Sequence, residues 1–219
     1  MTRKRIVLVT LVVLIASLLL AQQAIKPGVR RWPIKTGLPA HTNKTPKTID
    51  YATFASLGNM PGVTKNDKRY QSARIAGNID NSKYKEGDIV AVKGYMHLVA
   101  LEPDGDYHIQ VNDNATDGKE CIIVEIPNPD KEFVSDDSVR EIVAVPREFV
   151  TAKLLKGNPV RSSGNIMQHP PYVRIVGQLF YDDSHVGDAP RGKKGMKATT
   201  LWEVHPVTAM AFAPKPKQQ

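Results

Sequence analysis

DIVAVKGYMHLVALEPDGDYHIQVNDNATDGKECIIVEIP, residues Asp88 to Pro127, decides the fold. It reads as three consecutive antiparallel strands joined by polar turns. The first, Asp88 to Leu101, is interrupted by Gly94, the kind of residue at which a curling sheet bends. Pro103, Asp104 and Gly105 form a hairpin turn. The second strand, Asp106 to Asn112, alternates: Tyr107, Ile109 and Val111 face a core, while Asp106, His108, Gln110 and Asn112 face the other way, toward water. In the third, Glu120 to Ile126, the residues Ile122, Val124 and Ile126 share the core face, with Cys121, Ile123 and Glu125 opposite. Pro127 stops it from continuing as an interior strand.

Working outward, Ser135 to Lys156 has an acidic first turn, spaced apolar residues and late basic residues, and is closed by Gly157. This predicts a helix, which Pro146 should kink or divide. Tyr172 to Tyr181 is a fourth strand with a second curving glycine, Gly177. Thr200 to Phe212 is a fifth, with Trp202 and Val204 inward and Glu203 and His205 outward. Three strands, a helix and two strands is the order of a mainly β, five-stranded OB-like barrel with its helix between strands three and four. A plain antiparallel sheet with a helix on one face is the rival arrangement, and it has less need of the two glycine bends.

Upstream, Arg3, Lys4 and Arg5 precede the uncharged run Ile6 to Ala21, so residues 1–24 read as a signal peptide or N-terminal anchor. The expected compartment is therefore outside the cytoplasm: periplasmic or secreted if the segment is cleaved, held at the inner membrane if it is not. Residues 25–68, with four prolines before Asp50 and a basic bias, read as an extended basic arm and loop, with a short helix at Tyr51 to Leu57 opened by Asp50 as its cap. Trp32 is expected to dock that arm on the domain. The barrel domain then occupies 69–212, and 213–219 is a disordered tail.

The 219 residues are 41% hydrophobic and 24% charged, an ordinary globular balance. Net charge is +8, and about +5 once the three leading basic residues are set aside (27 basic against 22 acidic). That is a mild bias, short of a dedicated nucleic-acid footprint. Cys121 is the single cysteine, which excludes an intrachain disulfide and reads as a small buried strand residue.

Chemistry is sparse. Asp106, His108, Glu125, Glu203 and His205 fall on the outward faces of strands two, three and five, and Asp182, Asp183 and His185 precede strand five. If the barrel brings strand three beside strand five, His108, Glu125 and His205 become candidate catalytic residues. With Glu203 they become candidate ligands for a divalent metal that activates water. No His-x-x-x-His spacing supports this, and outward His and Glu residues also serve as surface or turn-anchoring groups. No Gly-x-Ser-x-Gly elbow and no phosphate loop between a strand and a helix is present.

The loop before strand five supplies Arg191, Lys193, Lys194 and Lys197 as candidate binding residues for phosphates or another polyanion. The opposing turn, with Glu102, Asp104 and Asp106, has the wrong sign for phosphate. The same face also lacks the exposed aromatic pairs on which nucleic-acid bases stack, Tyr95 and Tyr181 apart.

Three strings, GDYHIQV at Gly105 to Val111, CIIVEIP at Cys121 to Pro127 and LWEVHPV at Leu201 to Val207, together resemble a set of uncharacterised, mostly exported bacterial proteins. These pair an Asp-x-His strand with Ile-Val-Glu-Ile-Pro and a closing Glu-x-His-Pro. The resemblance spans roughly Arg69 to Phe212, implies a family of unknown activity, and assigns no role to His108, Glu125 or His205.

The expectation is an exported OB-like binding domain for a polyanion, an oligosaccharide or an envelope protein partner, needing no cofactor. One alternative is a metal-dependent hydrolase or nuclease with a His/Glu site on the barrel. Another is a structural envelope protein that meets the membrane only through an uncleaved N-terminal segment.

Overall fold

The computed structural model describes residues 30–38, 45–77 and 82–216. The signal or anchor expected at 1–24 and the end of the tail lie outside them. Among the described residues no helix is long and apolar enough to cross a membrane.

The chain is mainly β, with one mixed seven-stranded sheet and few helices. Five strands do most of the building: β2 (Ile89–Leu101), β3 (Tyr107–Asn112), β4 (Glu120–Ile126), β6 (Tyr172–Tyr181) and β7 (Lys197–Phe212). Two short strands, β1 (Lys47–Thr48) and β5 (Asn165–Ile166), both pair with β2. Hydrogen bonding runs from β2 through β3, β4, β7 and β6 and back to β2. All pairings in this circuit are antiparallel except β4 with β7, which are parallel.

The circuit bends where the sequence carries glycine. A Cβ on Gly177 would stand 2.3 Å from the Pro206 carbonyl oxygen, at a position where the register of β6 on β7 shifts. One on Gly94 would stand 2.5 Å from Val111 Cγ1. At both, only a residue without a side chain lets the strands approach so closely. Inside the circuit pack Trp202, Tyr181, Met96, Ile109, Ile122, Ile126 and their neighbours, all buried. Each such side chain contributes about 1.5–3 kcal/mol on leaving water.

The predicted helix forms as α3 (Asp137–Glu148) and continues as π-winding over Phe149–Leu154. Asp136 caps it, accepting from the backbone N–H of Ser138 at 2.9 Å. Val139, Val143 and Val150 turn to the core. Pro146 removes a backbone donor just before the winding changes.

Upstream the structure differs from the extended basic arm that the sequence predicts before Asp50, while the short helix expected at Tyr51 to Leu57 with Asp50 as its cap is present over Tyr51–Ala55. The described part of 25–68 holds two short helices, α1 (Trp32–Thr36) and α2 (Tyr51–Ala55), and supplies Ile49, Phe54, Leu57, Met60 and Val63 to the core. Asp50 caps α2 through the Thr53 N–H. Arg31 is 2% exposed. Its guanidinium donates to both carboxylate oxygens of Glu86 at 3.0 and 2.8 Å, and to the carbonyls of Tyr70, Ala73 and Tyr181. The Trp32 indole donates to the Phe133 carbonyl and meets the Phe133 ring edge-on at 5.4 Å. Basic residues near prolines read as solvated, but here satisfied hydrogen bonding lets an arginine be buried. At the other end, Ala213 still donates to the Tyr172 carbonyl at 3.0 Å, and residues 213–216 carry no regular structure.

Candidate functional site

The polar face of β3 is not solvated as its alternation predicts. Asp106, His108, Gln110 and Asn112 are all buried, as are Glu125, Glu203 and His205. Two segments cover them. The loop 182–196 folds back so that Gln110 and Lys193 exchange a pair of bonds: the Lys193 N–H donates to Gln110 Oε1 at 2.6 Å and Gln110 Nε2 donates to the Lys193 carbonyl at 3.2 Å. From the other side comes α1, where Gln178 Nε2 donates to the Ile34 carbonyl at 3.2 Å and to the His205 carbonyl at 3.3 Å. Beneath the loop, Leu98, Ala100, Cys121, Ile123, Met196 and Ala198 form a second small apolar cluster.

Strand register assembles the site. His108 lies directly opposite Glu125 across the β3–β4 pair. The parallel β4–β7 pairing sets Ile123 beside Glu203 and Val124 beside Val204, which carries Glu125 to His205. His108 Nδ1 stands 2.9 Å from Glu125 Oε1, and His205 Nδ1 stands 3.2 Å from Glu125 Oε2. The other ring nitrogen of His205 faces Asp106 Oδ2 at 3.5 Å. Asp106 is fixed by the Asn128 N–H, which donates to its Oδ1 at 2.7 Å. Arg147 clamps the turn behind it, donating to the carbonyls of Gly105, Ile126 and Pro127 and lying 3.6 Å over the Tyr107 ring.

The charges of this cluster depend on one another. Burial by itself pushes Glu125 up, yet the His108 hydrogen bond and the His205 ring hold it well below the usual carboxylate range. For His205 burial works against the imidazolium, and the facing Glu125 and Glu203 carboxylates outweigh it, raising it to about 9. His108 is raised for the same reason, burial being overcome by Glu125. Gln110 Oε1 already accepts from the Lys193 N–H, so His108 Nε2, 3.2 Å away, meets an acceptor too. Asp106 is the exception: burial dominates and pushes its carboxyl up to about 7, with His205 offsetting only part. Lys35 is held above its ordinary value because Glu125, Asp182, Glu203 and Asp106 together outweigh its burial.

A cleft of about 410 Å³ opens over this cluster, lined among others by Lys35, Glu102, His108, Glu125, Asp182 and Lys193. The basic loop reads differently here than in the sequence. Arg191 does not face solvent as a free phosphate ligand. Its Nη1 donates to Asp182 Oδ2 at 2.7 Å and to Glu203 Oε1. Lys193 Nζ pairs with Glu102 at 3.0 Å. Lys194 and Lys197 remain exposed. Of the four candidate binding residues, Arg191 and Lys193 line the cleft and are matched by carboxylates.

The expected set His108, Glu125, Glu203 and His205 is thus brought together, with Glu203 held on Arg191. Sequence reasoning placed Asp106 on the same face without giving it a role, and it missed Lys35. Lys35 follows Trp32 in α1, and the docking expected of that tryptophan was its one available signal.

No family model matches the chain, and no curated protein matches it. Among solved structures it is similar to the asparaginyl-tRNA synthetase of Entamoeba histolytica, at 16% identity and a TM-score of 0.32 over 65% of this chain and 24% of that one. It is also similar to an OBody bound to hen egg-white lysozyme, at 12% identity and a TM-score of 0.29 over 60% of this chain and 86% of that one. The chain therefore spans about a quarter of the length of the synthetase it matches.

Proposed function

We propose that this chain is an exported OB-like barrel domain that binds a small polar ligand, an oligosaccharide, in the cleft above Glu125. The strand circuit from β2 round to β6 supports the barrel reading, with α3 between the third and fourth of its strands. The observation that carries the function is the lining of the cleft. Charges of both signs, Lys35, Arg191, Lys193 and His108 against Glu102, Asp104, Glu125 and Asp182, stand there at near balance. Such a lining offers many donors and acceptors and little net field, which favours a hydroxyl-rich ligand over a polyanion. Apart from the histidines its lining has no aromatic ring among the described residues, so bases find nothing there to stack on.

Retention on an array of neutral and acidic oligosaccharides, with a sulfated polymer as competitor, tests this. Binding of neutral glycans that the polymer fails to displace is the expected result. Binding confined to the sulfated polymer contradicts it.

A second reading, hydrolysis of the same ligand, is favoured by one arrangement: Glu125 lies between two imidazoles, one of which lines the cleft. In that reaction water adds to the electrophilic carbon, its carbon–oxygen bond breaks, the departing oxygen takes a proton from His108, and the proton that water loses restores it through Glu125. Release of new reducing ends by the native chain and not by His108→Gln is its test.

A further inference from the structure

Asp106, Glu125 and His205 each offer one ligand atom within 4.8 Å of the others. Asp106 and His205 are wholly buried and Glu125 is 9% exposed. Neither ring nitrogen of His205 has a hydrogen-bond partner, and neither does Asp106 Oδ2. A buried polar atom left in that state costs about 1–3 kcal/mol, and two of them, His205 Nε2 and Asp106 Oδ2, face each other here. The 3.5 Å between His205 Nε2 and Asp106 Oδ2 is long for a hydrogen bond. It is close to the roughly 3.3 Å that separates two donors each about 2.0–2.1 Å from one tetrahedral ion. The charge balance points the same way. Asp104, Asp106, Glu125, Asp182 and Glu203 crowd this region. The permanent cations that face them are Lys35, Arg147 and Arg191, three against five carboxylates, and Arg191 is taken up by Asp182 and Glu203.

We propose that Asp106, Glu125 and His205 form a binding site for a first-row divalent cation of the zinc class. One imidazole and two carboxylates suit such an ion, and three protein ligands leave a coordination position open, the pattern of a catalytic rather than a structural centre. His108 is not a ligand in this assignment. Its ring nitrogens are occupied by Glu125 Oε1 and Gln110 Oε1, and it positions Glu125 from outside the ion's own shell. Of the three ligands Glu125 alone also lines the cleft, and its carboxylate would connect the ion to ligand space. In this respect alone the inference rests on the cleft reading above.

The chain is purified without chelator or histidine tag and its metal content measured. It is then stripped and titrated with Zn2+ and with Co2+. One equivalent of metal, a tetrahedral Co2+ absorption spectrum and a rise in Tm on adding Zn2+ are expected. Asp106→Asn and His205→Gln should each weaken binding by at least about ten-fold, with fold checked by far-UV circular dichroism, and Lys194→Ala should change nothing. Trace metal only, with no Co2+ spectrum and no Tm shift in the unmutated chain, overturns the proposal even if both ligand variants fail to fold. Oligosaccharide retention by a chain that takes up no metal removes the metal site and leaves the cleft reading standing. Metal uptake without retention does the reverse.

Discussion

His108 and Glu125 are cross-strand partners whose side chains meet at 2.9 Å, and the carboxylate held by that contact faces His205 with its second oxygen. A directly opposed pair on adjacent strands is a rigid way to fix a carboxylate, because strand register leaves it no freedom to drift. The pair is buried beneath the loop 182–196, which makes that loop part of the site.

Breaking the loop's anchor should be costly and pH dependent. The Arg191 charge, with help from Lys35, holds Asp182 below the usual carboxylate range against its burial. A carboxylate lowered in the folded state contributes stability that is present above its unfolded value, near pH 3.9, and is lost as pH falls through the folded value. The native chain should therefore lose stability on acidification below about pH 4 more steeply than Asp182→Asn. At neutral pH the variant should itself be destabilised by about 3–5 kcal/mol, because Arg191 keeps a buried charge with one partner fewer. Urea unfolding from pH 2 to 7 measures both; parallel acid limbs contradict the account.

Arg31→Ala should cost about 3–5 kcal/mol by leaving Glu86 buried and uncompensated. Arg31→Met combined with Glu86→Leu should recover most of that loss. Denaturant midpoints of the three chains decide it, and a neutral Arg31→Ala would show that residues 30–38 do not belong to the folded unit.

Gly177→Ala should destabilise by at least about 1–3 kcal/mol, since the added Cβ meets the Pro206 carbonyl oxygen and Val204 Cγ1. Gly58→Ala, where nothing lies within 4 Å, should stay within about 0.5 kcal/mol of the native chain. Thermal unfolding compares the two directly.

Cys121 is wholly buried and burial pushes its thiol up to about 12. It should resist thiol reagents at neutral pH in the folded chain and react at the rate of a free thiol once the chain is unfolded. Timed labelling with and without denaturant checks this; rapid labelling of the folded chain would mean that the cover formed by Met196 and its loop opens readily.

Strand positions were legible because alternation in β3 and β4, and the glycines of β2 and β6, are local signals. So was the helix, from its acidic start and spaced valines. The burial of the opposite face was not. Asp106, His108 and Gln110 look solvated within their own strand, and what covers them arrives from α1 and from Arg191 to Met196, segments whose composition is that of exposed loops. The meeting of Glu125 with His205 needed the parallel β4–β7 pairing, a long-range fact that strand order supplied only through the barrel reading. Arg31 carried no sign of burial at all, because its partner Glu86 stands 55 residues away.

On the proposed function, ligand sits in the mixed-charge cleft over Glu125 and not on the exposed lysines of the loop. Isothermal titration of a bound neutral oligosaccharide against the native chain, Glu125→Gln and the Lys194→Ala, Lys197→Ala double variant tests it most directly. At least about ten-fold weaker binding is expected for Glu125→Gln, as a lost charged hydrogen-bond partner implies, with an unchanged affinity for the double lysine variant. Unchanged binding by Glu125→Gln together with its loss in the lysine variant would contradict it.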